Sequence, residues 1–348
     1  MPRLSPASLA VVLLFALAAP ARAQPRSPLA GIDVFGTRAF TAADVRAEFG
    51  VDLDSIAAAF GSGRIDDAVI ARYVRVVTAL RARGDFAYLD LAVINYFEPE
   101  PRTFITVDVV ESADSARRMA FAAPPADTVP DPDGIVGDFA AYLARGMALL
   151  QQGQLTGPEP PCPVLHCAPG FDHDSLRAGT RRFMAAAPRH FDAVAEVLHR
   201  DADPERRAAA AFLLGYTTDP QPAADALVGA LADPAPGVRN NVMRVLIMLA
   251  RREPPVAIPV APVIAALHYP ATTDRNKAAY VLHGLAGRPE HRDVIVRDAG
   301  PVLLAMLELA QPNNREPAHE VLQRLSGEAW PADGVAAWRA WWERSRGR

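Results

Sequence analysis

Lysine is almost missing from this chain: of 36 basic residues in 348, Lys277 alone is a lysine. The others are arginines, and with 40 acids they leave a formal net charge of −4. Without a basic surplus there is little counterion-release drive toward a nucleic-acid backbone, so no nucleic-acid partner is expected. A biased codon pool is the plainer account of the arginine excess. Cysteine is nearly missing too, with Cys162 and Cys167 the only two. There is no Gly-x-Ser-x-Gly, no phosphate loop and no His-Glu-x-x-His, since His319-Glu320 has no second histidine to complete a zinc site. These absences remove the commonest hydrolase, nucleotide and metalloprotease signatures, and no cofactor is expected. The 50% hydrophobic and 22% charged residues exclude a wholly disordered or collagen-like protein. At roughly 150 residues per domain the length predicts two units. The 32 prolines predict heavy punctuation between their elements.

Residues 1–23 read as a signal peptide. Arg3 gives a positive start, Leu9 to Ala19 an apolar core, and Ala21-Arg22-Ala23 an A-x-A cleavage pattern before Gln24. That core is shorter than the roughly 20 residues a spanning helix needs, so an exported protein with no stable membrane span after cleavage is expected, periplasmic or secreted.

Residues 24–112 read as a small α/β module. Leu29 to Gly36 is a short apolar strand, and Thr41 with Asp44 makes a capping box at a helix start. Ile65, Val69, Tyr73, Val76 and Leu80 recur at helical steps within a second helix, 64–83. Phe86 to Phe97 and a second run, with Thr103, Ile105, Val107 and Val109 alternating against Arg102, Thr106 and Asp108, read as two further strands. The order is β-α-α-β-β. With Ile32 to Gly36 at the first strand, Leu80 to Phe86 leading into the second and Ile105 to Glu111 closing, the module resembles a POTRA domain, the kind that precedes outer-membrane assembly barrels. The resemblance implies client binding by strand addition to a sheet edge. One copy with no barrel after it departs from the family's tandem arrangement.

Residues 113–187 read as a proline-rich linker, an extended hinge or brace over 113–134 followed by a helix over 139–152. Cys162 and Cys167 then lie close enough in sequence for an intrachain disulfide. The rival use is a metal site centred on Cys162 to Asp174, drawing on His166, His173, Asp172 and Asp174, although this spacing fits no common zinc module.

Residues 188–348 carry an internal repeat. Aligning Arg207, Arg239, Arg275 and Arg315 brings Ala210, Val242, Ala278 and Ala318 into register, followed by Leu213-Leu214, Val245-Leu246, Val281-Leu282 and Val321-Leu322. The arginines stand 32, 36 and 40 residues apart, a solenoid period. An apolar helix precedes each: 191–198, 223–231, 262–267 and 302–309. This pattern is similar to the HEAT-repeat family, whose second helix opens with Asp and then Val-Arg, best seen from Asp233 to Val238 and Arg239. The third and fourth copies lack that valine. Such hairpins bury their apolar faces only by stacking. The four arginines are placed to bridge hairpins through upstream acids or carbonyls, the competing use being anion binding. Trp338, Trp341 and Trp342 share one face of a last helix, suited to capping the stack or to holding an aromatic ligand.

The expected fold is therefore multidomain α+β, a small β-α-α-β-β domain followed by an all-α HEAT-like solenoid. The expected function is that of an exported, non-enzymatic protein-binding scaffold. The alternatives are an envelope assembly or secretion accessory acting through the POTRA-like module, and a metal-binding protein or enzyme centred on Cys162 to Asp174.

Overall fold

The computed structural model describes residues 28–96, 99–155, 161–167 and 173–347. The signal-peptide and cleavage-site readings, and Asp172, lie outside the described residues.

The N-terminal elements start where local chemistry puts them. The Thr41 N–H donates to the Asp44 carboxylate (2.8 Å) and the Asp44 N–H donates back to the Thr41 hydroxyl (3.2 Å), which opens α1 (Ala42–Ser62). Gly63, left-handed at φ 66°, closes it. Asp66 caps α2 (Asp67–Arg81). The strands β1 (Leu29–Phe35), β2 (Phe86–Tyr96) and β3 (Arg102–Glu111) form one sheet in the order β1-β3-β2, with β1 parallel and β2 antiparallel to β3. Both helices cover one face, burying Leu53, Ile56, Leu80, Leu91, Ile105 and Val107.

The central strand is buried on both faces. Alternation puts Thr106 and Asp108 opposite Ile105 and Val107, and this polar side is as inaccessible as the apolar one because the solenoid lies against it.

After the short α3 (Ser115–Arg118) come α4 (Ile135–Gln151) and α5 (Asp174–Ala186). Repeat hairpins follow: α6 (Phe191–Arg200) with α7 (Pro204–Leu213), α8 (Pro220–Gly229) with α9 (Pro236–Ala250), and α10 (Val260–Ala266) with α11 (Thr272–Leu285). In the fourth, α12 (Pro289–Val294), a π-helical stretch (Ile295–Ala299) and α13 (Gly300–Leu307) precede α14 (Pro312–Ser326). This helical run begins earlier than the 302–309 expected, because the π-helical stretch carries it past Pro301. A last helix, α15 (Val335–Ser345), packs on α13. The helices α4, α7, α9, α11 and α14 stack side by side in one row around a shared core that includes Phe139, Tyr216, Val242, Leu246, Leu282 and Leu322. Prolines open α7, α8, α9 and α14 at their first positions, where the missing N–H costs nothing.

Residues 119–131, the hinge or brace of the sequence, run against the repeat order along the turns inside the hairpins. Phe121 packs on Tyr269 of the third turn (ring centroids 4.9 Å apart), and the Ala122 N–H donates to Ala232 O of the second (2.8 Å). At the first turn the Ala202 N–H donates to Asp127 O (2.7 Å), and Arg206 reaches Val129 O (2.7 Å). Asp131 then caps α4 through the N–H groups of Val136 and Gly137 (both 2.9 Å).

Candidate functional site

The repeat arginines form a ladder. Arg207 forks onto both oxygens of Asp233 (2.8 and 2.9 Å) and donates to Asp201 O at its own turn (2.8 Å). One step on, Arg239 forks onto Asp274 (3.1 and 2.7 Å) and donates to Asp233 O (2.7 Å). The carbonyls thus come from upstream, but the carboxylates come from the following repeat. A guanidinium at the start of a second helix points sideways at the next hairpin's turn, so its acid lies downstream in the chain. Phe121 stacks on the Arg239 guanidinium (4.3 Å). Arg275 breaks the pattern: its carboxylate is Asp108 on β3, and Phe35 of β1 stacks on it (4.0 Å). Arg315 makes no ion pair among the described residues.

Around Arg275 the sheet takes over the ladder's role. Asp33 on β1 accepts the N–H groups of Ala310 and Gln311 (2.8 and 2.9 Å), and the Gln311 amide donates to the Thr106 hydroxyl (3.1 Å). Arg118 donates to Val109 O (2.6 Å) and to His268 O (3.0 Å). Burial pushes the Asp108 carboxyl up to about 6 against the pull of Arg275, and burial also raises Asp33 and Asp274. Asp33 and Asp108 were not singled out as site residues from sequence. The available signal was acids alternating with branched residues on strands that read as half-buried.

Cys162 and Cys167 are joined in a disulfide. Its loop is pinned to the turn after α7 by the Leu165 N–H to Thr217 O (3.3 Å) and the His166 N–H to Gly215 O (3.0 Å). Both sulfurs are consumed in this bond, so they offer no thiolate to a metal while it stands. His166 packs on Phe212 and His173 caps α5, so the two rings serve different elements. Among the described residues no three His, Cys, Asp or Glu side chains gather as a metal site, and no helix is long and apolar enough to cross a membrane.

The tryptophans cover the far end of the stack. Trp338 is fully buried against Trp330 and His319, and its indole donates to Pro331 O (3.0 Å). Trp341 is buried beside it. Trp342 donates to Val296 O (2.9 Å). In the π-helical register that carbonyl faces Pro301, which has no N–H to give, so the indole supplies the missing donor.

The side of the second-helix row away from the first helices is open. On α9 it shows Asn241, Arg244 and Met248 at steps of three and four, with Arg251 following at the C-cap. Lys277 and Tyr280 on α11 follow the same spacing.

These stacked hairpins define a helical-repeat protein. A family model for HEAT repeats matches residues 191–283, which cover the first three hairpins. No curated protein matches the chain. HEAT repeats mediate protein interactions and scaffolding, and the family is typically non-enzymatic.

Proposed function

We propose that this is an exported protein-binding scaffold whose partner docks on the open side of the second-helix row. The observation that carries the reading is this row: Arg207 and Arg239 are spent on joining repeats, while Arg244 and Met248 on the exposed side of α9 make no hydrogen bond or ion pair among the described residues. Export rests on the apolar run and A-x-A pattern of residues 9–23, and the disulfide suits an oxidising compartment. A photo-crosslinker placed at Met248 in the full chain, in cells, tests the docking face. A saturable adduct from Met248 that a crosslinker at Val51 on α1 does not give is the expected result; equal yields from the two would sink it. Fractionation of cells making the chain with and without residues 1–23 tests export.

A second reading keeps the envelope assembly or secretion role. Among the described residues the outer edge of β1 has no strand partner, and it borders a groove lined by Leu29, Gly31, Ile32, Ala42 and Arg46, which suits strand addition. A crosslinker at Ala30 would then give the adduct instead of one at Met248.

A further inference from the structure

The open side of the row holds a charge arrangement that the fold does not use. Arg207, Arg239 and Arg275 each have a carboxylate. Arg244 has neither an ion pair nor a side-chain hydrogen bond among the described residues. The Lys277 ammonium on neighbouring α11 donates only to the neutral side chain of Asn276. His166, held nearby by the disulfide loop, brings no negative charge.

The electrostatics agree with this reading. Burial lowers the pKa of Arg244 with no carboxylate acting against it. Lys277 is lowered to about 8 by burial and then by Arg244, and His166 to about 4 by the same two causes. On the next helix, Glu316 and Glu320 act on Tyr280 but not on Lys277. Arg244 is exposed and Lys277 half-buried on neighbouring helices of one face, and like charges placed so without a counter-charge weaken the fold. Perturbed ionisable groups of this kind cluster at functional sites.

We propose that Arg244 and Lys277 form the docking point for carboxylate side chains on an acidic segment of the protein partner, with exposed Met248 taking an adjoining apolar residue. This rests on the protein-binding reading above and adds the chemistry of the partner. A continuous polyanion fits less well, because Glu316 and Glu320 on α14 would repel a phosphate backbone crossing the row. Spaced carboxylates on a polypeptide can stay over α9 and α11.

Lys277 is the only lysine, so reductive ¹³C-methylation of the full chain marks it with a signal distinct from the terminal amine and leaves its charge in place. The probe is a short, capped peptide of alternating aspartate and leucine, with an asparagine–leucine peptide as control. The aspartate peptide should shift the Lys277 signal, raise its titration midpoint and bind about tenfold more weakly to Arg244→Gln. No shift, an equal shift from the control, or unchanged binding to Arg244→Gln would overturn the proposal. Arg244→Gln with Lys277→Gln should also melt no lower than the parent, since removing like charges relieves repulsion. A large fall would assign the pair to structure and overturn it. If the Met248 adduct persists in this double variant, the acidic-segment proposal fails while the scaffold reading stands; loss of the adduct supports both.

Discussion

Arg275 of the third repeat and Asp108 of the central strand pair inside the protein although 167 residues of chain separate them. Removing one partner strands the other as a buried charge. Arg275→Ala or Asp108→Ala should each cost about 3–5 kcal/mol in denaturant unfolding, and replacing both with apolar residues of similar volume should recover much of that. Additive losses in the double variant would show that the two do not act as a pair.

The histidine at the third turn sets a pH dependence. Burial, then Arg117 and Arg118, hold His268 at about 4 against an ordinary 6.5. A histidine depressed in the folded state takes its proton more readily when unfolded. The stability present above pH 6.5 is therefore lost as the pH falls from there toward 4. His166 acts in the same direction. Asp108, raised to about 6, works in the opposite direction, so the check is a difference: as the pH falls through that window the wild type should lose melting temperature relative to His268→Gln, and an unchanged difference counts against the assignment.

Reduction of Cys162–Cys167 opens a loop of only five residues' separation. Loop-closure entropy for so short a ring is worth about 2 kcal/mol. A reductant should lower the melting temperature modestly and speed amide exchange at His166, and a thiol reagent should react only after reduction.

The far end depends on its indoles. Trp338→Ala empties a fully buried site and should cost about 3–5 kcal/mol. Trp342→Phe keeps the ring but leaves the Val296 carbonyl without its donor, for a loss of about 1–3 kcal/mol. No loss on Trp342→Phe would mean that packing alone matters at that position.

The brace should come loose at Phe121. Phe121→Ala removes the ring that lies over Arg239 and against Tyr269. Limited proteolysis between residues 119 and 131 should accelerate well before the repeats unfold, whereas simultaneous cleavage everywhere would argue that this segment has no separate stability.

Local chemistry made the elements legible. The Thr41–Asp44 capping box, the alternation around Ile105 and Val107, and the arginine register each name a local rule that the fold obeys. The family match at residues 191–283 falls within the stretch where that register is clearest. What could not be read was the docking of sheet on repeats. It depends on Asp33, Thr106 and Asp108 finding Gln311 and Arg275 more than 160 residues away, and no periodicity encodes such a meeting. The open charge at Arg244 was hidden for a related reason. An arginine in an arginine-rich chain reveals its lack of a partner only when its neighbours in space are known.

The run from Arg118 to Val129, tied at the third, second and first turns, works as a tie rod along one edge of the array. Helical-repeat stacks ordinarily change pitch by small adjustments between neighbours, like a spring. Here, lengthening that edge would require hydrogen bonds at several turns to break together. The second-helix row is thus held near one curvature in the free protein, and on the proposed reading little of the energy of association would go into shaping the receptor.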